Sequence, residues 1–290
     1  MAAKRLLPVI FATFLMGILS ASAQTLPQIY ISSEGQNSLQ QLDFATGKLT
    51  TLYEIGAAAD DMLVSSSGQI IYTVPNAGTL NSFNPATGVN TVLASGINGA
   101  RDVTMEPSGQ TLLVSEYADP AEIYRYSFVT GKATVFFPKT KGITTFDGVA
   151  YDGYGNLYAV ATHNTIIQIN PVSGAIIATL TIEPHSGING GDGLTYDPYT
   201  NCMWATADGK VMGTGLLKIP VQPSGFVSIS PGYTFYPLSV GNVDGIKSDG
   251  KGNLYIGAIW SALVYNIPSN TITENIVVKG ADGVGLVPGT

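Results

Sequence analysis

Aspartate recurs along this chain at positions 61, 102, 147, 192, 244 and 282, and in the last four cases glycine follows it directly. A carboxylate can ligate a hard cation, polarise water or take up a proton. Several carboxylates brought to one place favour a bound cation or a proton, because each raises the energy of its ionised neighbours. The same pattern has a plainer use: Asp before Gly at a strand start caps the turn by accepting backbone N–H bonds. His163, in Thr162-His163-Asn164, and His185 are the only histidines, which excludes a zinc site of three histidines. His163 is a candidate general base, set against the alternative of a solvent-exposed turn histidine. Cys202 is the only cysteine and lies in the apolar run Cys202-Met203-Trp204. It permits no intramolecular disulfide and no cysteine-based zinc site, and it reads as an inert core thiol. No nucleophile elbow, phosphate-binding glycine loop or zinc-protease motif is present.

The elements that position these carboxylates are legible as a repeat. Each copy runs from Asp, usually with Gly, into a short apolar strand, through a polar turn, into a second strand opening on an apolar-aromatic pair. The clearest copies are Asp147-Gly148-Val149-Ala150-Tyr151-Asp152 leading to Gly155-Asn156-Leu157-Tyr158, and Asp244-Gly245-Ile246-Lys247-Ser248-Asp249 leading to Gly252-Asn253-Leu254-Tyr255. Asp192-Gly193-Leu194-Thr195-Tyr196-Asp197 matches the first half, and Asp61 and Asp102 begin weaker copies. Tight turns such as Asn84-Pro85-Ala86-Thr87-Gly88 and Asn170-Pro171-Val172-Ser173-Gly174 then join two further alternating strands. Four short strands per repeat make a propeller blade. The anchor spacings of 41, 45, 45, 52 and 38 residues suit blades of about 40–45 residues. The longest interval contains residues 209–225, where an extended hairpin or loop is expected. The chain ends on an anchor strand with no partners after it, Ala281-Asp282-Gly283-Val284, and opens on Gln28-Ile29-Tyr30-Ile31 with no anchor before it. The expected fold is therefore an all-β, six-bladed β-propeller, closed by a C-terminal inner strand pairing with the N-terminal strands.

In such a ring the first strand of each blade lines the central channel, so the anchor aspartates surround one mouth. The loops between second and third strands reach the same face and carry Glu34, Asn76, Glu116, His163, Asp208 and Trp260, the expected ligand face. With few cations nearby in sequence, the carboxylates are expected to hold one divalent cation, with Asp147, Asp192, Asp244 and Asp282 as ligands and Ca²⁺ favoured over Zn²⁺. Trp204 and the strand tyrosines read as core. Trp260 falls at a hairpin tip, where an exposed ring can stack on a sugar or another flat ligand.

The remaining bounds come from the N-terminus and from composition. Lys4 and Arg5 precede an apolar run over residues 6–19, and Ala21-Ser22-Ala23 supplies a small-residue cleavage pattern. Residues 1–23 are thus predicted to be a signal peptide and 24–290 the propeller, secreted or periplasmic, with no membrane span left after cleavage. Loss of Lys4 and Arg5 takes the formal charge from −7 to −9. An acidic chain with so few cations is a poor partner for nucleic acid. A small-molecule or carbohydrate ligand and a monomeric state are expected.

At the Asp-Gly-apolar-x-x-Asp-x-x-Gly-Asn-Leu-Tyr copies, over 147–158 and 244–255, the chain resembles the gluconolactonase and senescence-marker (regucalcin-like) superfamily and its NHL-repeat relatives. The resemblance implies a metal-dependent lactonase or related esterase, with the ion at the channel mouth. It implies that Asp192 is the metal-binding and catalytic aspartate. Asp147 falls where the family usually has an asparagine, and Asp282 where a metal-binding glutamate begins the first blade. Two readings follow. In one, the protein is a metal-dependent hydrolase of lactones or related esters, with Asp192 or His163 handling the proton. In the other, it is a non-catalytic binding module that uses the same face for a sugar, peptide or surface partner. The nearly uniform anchors favour the second, and the divergent loop residues favour the first.

Overall fold

The computed structural model describes residues 28–162, 165–182, 188–189, 193–209, 213–227 and 232–286; the proposed leader lies outside them. Six antiparallel sheets follow one another around a ring. Numbered from the closing blade, their inner strands are Ala281–Leu286, Met62–Val64, Ala100–Met105, Phe146–Tyr151, Leu194–Asp197 and Val243–Ser248. Each of these packs against the inner strands of both neighbours, so the circle is complete.

Burial follows position in the blade. Second strands lie between the sheets on either side and are apolar on both faces: Ile70–Val74, Leu157–Ala161 and Asn253–Ala258 are buried at every residue. Outer strands have one solvated face and alternate, as Lys48–Glu54 and Thr271–Val277 do. Closure is as expected: blade 1 takes its inner strand from the C-terminus, with Leu286 opposite Ile29, Gly285 opposite Tyr30 and Val284 opposite Ile31.

Of the two forms expected for the long interval, a hairpin or a loop, the structure has the hairpin, set beyond a regular strand. The third strand of this blade, Gly215–Gln222, runs through the middle of residues 209–225. The extra length forms a hairpin in which Gly225–Phe226 folds back on Val221 and Gln222, ahead of the outer strand Thr234–Pro237. Phe226 is what holds this hairpin down, with its ring 5.0 Å from that of Tyr158 in blade 4.

Strand pairing also sets the register of the repeats, and it shifts two of them by one residue. Met62 pairs with Tyr72, Val103 with Val114, Val149 with Ala159, Leu194 with Ala205, Ile246 with Ile256 and Val284 with Ile31. Two residues before each stand Asp60, Arg101, Asp147, Asp192, Asp244 and Asp282. Asp61 and Asp102 therefore occupy the place that glycine takes in the other blades. Second-strand hydroxyls mark the same register. Ser32, Thr73, Ser115 and Thr206 each donate to the anchor carbonyl of the next blade: Asp60 O, Arg101 O, Asp147 O at 3.0 Å and Asp244 O at 2.7 Å, respectively. The glycines permit this close approach. A Cβ on Gly245 would lie 2.8 Å from Asp282 O, and one on Gly283 2.6 Å from Asp60 O.

Two outcomes test this architecture. Deleting residues 281–290 strips blade 1 of its inner strand and should lower the melting temperature by at least about 10 °C, at about 2–4 °C per kcal/mol for a chain of this size. A truncated protein melting within a degree or two of full length contradicts the closure. Thr206→Val leaves the Gly193 N–H and the Asp244 carbonyl without their bridge and should cost about 1–3 kcal/mol in denaturant titration. An unchanged midpoint would remove the clasp role.

Candidate functional site

Among the described residues, two cavities lie where the inner strands begin. The first is on the axis, lined by Asp60, Asp61, Arg101, Asp102, Asp147, Gly193, Asp244 and Gly245, and holds only about 10 Å³. That is room for about one water or a bare ion. The second opens beside it at the seam of blades 1 and 6 and measures about 460 Å³, within the range of small-molecule sites.

The axial carboxylates are not left to repel one another, because two cations that the sequence reading passed over sit among them. Arg101 stands at an anchor position, and its guanidinium donates to Asp60 Oδ2 at 2.5 Å while lying 4.7 Å from the Tyr117 ring centroid. Lys247 reaches across from blade 6, its ammonium 2.6 Å from Asp61 Oδ2 and 3.8 Å from Asp102 Oδ1. Asp102 also accepts the backbone N–H of Val103 at 2.6 Å and of Val149, in the next blade, at 2.5 Å. Asp61 and Asp102 turn into the channel because they replace glycine there.

Six described carboxylates nonetheless share this region with two cations, and their proton affinities record it. Burial, with like charge on Asp244 and Asp61 adding to it, pushes Asp60 up to about 8 although Arg101 pulls the other way. Burial and the Asp61 charge raise Asp102 well above the usual carboxylate range, against the pull of Lys247. Burial, Asp244 and Asp60 do the same to Asp282. Burial opposes the charge on Lys247, but Asp61 and Asp102 outweigh it and hold the ammonium protonated.

The expected site residues separate into groups. Asp147 lines the axis, with Thr145 Oγ1 3.3 Å from its Oδ2. Asp244 borders both cavities, and Asp282 borders the seam cleft together with Glu34 and Trp260. Trp260 is 63% exposed, whereas Trp204 is 1% exposed and belongs to the core. Asn76 sits in the short 3-10 turn Pro75–Ala77, Glu116 is buried with its Oε2 on the Glu122 N–H, and Asp208 accepts from Thr214. These three line neither cavity. Asp192, His163 and His185 lie outside the described residues. The Cys202 thiol is buried and pushed up by that burial, as an inert thiol should be. Sequence reasoning missed Asp60, Arg101, Lys247, Ile259 and Lys279. For the first two the signal was present: in the clear copies the turn glycine stands eight residues after the anchor, Gly155 after Asp147 and Gly252 after Asp244, and Gly68 and Gly109 stand eight residues after Asp60 and Arg101.

Removing Lys247 tests the axial pairing. Lys247→Met leaves Asp61 and Asp102 buried without their partner and should cost about 3–5 kcal/mol. Adding Asp61→Asn should recover about half of that loss. If the single variant melts like the parent, Lys247 does not hold the axis.

The sequence matches no protein-family model and no curated protein. Solved structures match closely in shape. A chain of the nidogen/laminin complex superposes with a TM-score of 0.73 at 13% identity, over 90% of this chain and 98% of that one. The virginiamycin B lyase of Staphylococcus aureus gives 0.62 at 18% identity, over 88% and 84% of the two chains. A gluconolactonase of Xanthomonas campestris gives 0.64 at 11% identity, over 90% and 88%. At these identities the likeness is one of fold: the chain is a six-bladed β-propeller.

Proposed function

We propose that this protein is an exported binding propeller, and that a small-molecule or carbohydrate ligand seats in the cleft between blades 1 and 6. The observation that carries this reading is a cleft of about 460 Å³ whose wall includes a largely exposed indole. Exposed aromatic surface of this size at a loop tip has no packing role, and its flat face suits stacking on a sugar ring or another planar group. Arg101 and Lys247 support the non-catalytic form of the reading, because they already act as counter-ions on the axis. The test is calorimetry with a panel of saccharides, lactones and small charged metabolites, together with Trp fluorescence. Trp260→Ala should weaken any panel ligand at least about tenfold, a loss of about 1.4 kcal/mol, while buried Trp204 reports an intact fold. Binding that is indifferent to Trp260 overturns the assignment.

A second reading, metal-dependent hydrolysis of lactones or related esters, is favoured by the crowding of buried carboxylates at the axis. The donors there are hard oxygens, and Asp61 Oδ1 is buried without a hydrogen-bond partner, so the chemistry of the donor set suits Ca²⁺ ahead of Zn²⁺. Among the described residues no three carboxylate, imidazole or thiol groups are gathered closely enough to hold an ion. The ligand set of this reading is the one expected from the sequence, Asp147, Asp192, Asp244 and Asp282, and it depends on Asp192, which lies outside the described residues. A bound ion would polarise an ester carbonyl and acidify water. Asp192 and His163 keep the proton-transfer roles assigned from the sequence. In this reading the melting temperature rises with the logarithm of added Ca²⁺, Zn²⁺ or Mn²⁺. Asp244→Asn should remove most of that rise, together with any lactonase activity. Melting that ignores all three ions, with no turnover of a lactone panel, removes the hydrolase reading and leaves the binding one standing.

A further inference from the structure

The seam cleft is built from both ends of the chain. Glu34 and Gly35 come from the turn after Ile29–Ser33, Ile259 and Trp260 from the turn after Asn253–Ala258, and Lys279, Gly280, Ala281 and Asp282 from the approach to the closing strand; Asp244 forms its axial wall. Its two tips are pinned to one segment. Gly280 N–H donates to Ile259 O at 2.6 Å and Val278 N–H to Trp260 O at 3.1 Å, while Glu34 N–H donates to Gly280 O at 2.9 Å. The chains meet so closely that a Cβ on Gly280 would fall 2.3 Å from Gly35 N. The backbone that carries the indole and the Glu34 turn is therefore held in place before any ligand arrives, which lowers the ordering cost of binding.

The charge of this cleft is one-sided. Glu34, Asp244 and Asp282 line it; the Asp282 carboxyl keeps its proton well above the usual carboxylate range, which sets Glu34 and Asp244 against Lys279, the one cation among the cleft's described residues. A neutral ligand would leave that excess uncompensated, and an anionic one would add to it. An indole face carries negative quadrupole density and attracts a cation within about 6 Å of its centroid. Ile259, 42% exposed beside Trp260, offers apolar contact of the kind that alkyl groups on a nitrogen prefer.

Building on the reading that this cleft is the ligand site, we infer that its ligand is an organic cation, an amine or quaternary ammonium compound, lodged against Trp260 between the carboxylates of Glu34 and Asp244. Choline is the probe, and its uncharged tert-butyl analogue is the control of matching shape, both titrated into the full-length protein by calorimetry and Trp fluorescence. Choline should bind at least about tenfold more tightly than the analogue. Trp260→Ala should cost choline about threefold to thirtyfold in affinity. Glu34→Gln, at an exposed turn where folding is not at stake, should cost choline several-fold and leave the analogue unchanged. Equal affinity for the analogue overturns the inference. So does Trp260-dependent binding of saccharides without choline binding, which leaves the ligand site itself intact. If neither saccharides nor choline bind, the inference and the proposed site fall together.

Discussion

Six strand starts must meet around one axis, and nearly every unusual residue in this protein answers to that convergence. Backbone carbonyls of one blade come within hydrogen-bond reach of second-strand hydroxyls of the blade before, as between Thr206 Oγ1 and Asp244 O at 2.7 Å. Side chains fit poorly where the strands are so close, which is why glycine follows the anchor in blades 1, 4, 5 and 6. In blade 6 the clasp position itself becomes Gly257, where a Cβ would lie only 1.9 Å from Asp282 O.

Convergence also concentrates charge. An aspartate at each blade start is harmless in one hairpin and costly in a ring, since burial and mutual repulsion both oppose ionisation. The molecule breaks its own symmetry to manage this. One anchor has become Arg101, and Lys247 extends from the blade opposite to meet Asp61 and Asp102. Asp244 and Asp282 border the cleft at the seam of the ring, and there burial and the charges of Asp244 and Asp60 favour the protonated form of Asp282. That cleft lies where the two termini meet, and the turns that shape it are fixed by the closing strand. The same closure that stabilises the fold thus prepares the surface on which a ligand would be held.

Much of this was legible from local pattern, and the parts that were not share a cause. The repeat and the blade count depend on residues near one another in sequence, so periodicity carries them, and the incomplete copies at residues 28–31 and 281–284 reveal the closing strand. The register of blades 2 and 3 was misplaced because the carboxylate was used as the marker; the turn glycines Gly68 and Gly109 were the better guides. Lys247 was visible inside a clear repeat copy, but its partner Asp61 is 186 residues away, and no local rule joins them. The cleft combines position 34 with positions 244 to 282 and exists only once the ring closes. Glu116 and Asp208 were expected on the ligand face, but their side chains are engaged by the Glu122 N–H and by Thr214, and pattern alone does not reveal that.

The central claim is that the axis is an electrostatic core only partly neutralised by Arg101 and Lys247, with protons supplying the rest. Its most direct test is thermal unfolding of the metal-free, unmodified protein as a function of pH. The native state binds protons at Asp60, Asp102 and Asp282 more tightly than the unfolded chain does. The stability those protons confer is complete below the ordinary carboxylate range, and it is lost as pH rises through the native values, with Asp60 titrating near 8. The account predicts a melting temperature that falls steadily from about pH 5 to about pH 8, at about 2–4 °C for each kcal/mol lost. A melting temperature that is level or rising across that interval would contradict it, and would mean that the two cations alone suffice to hold the ring.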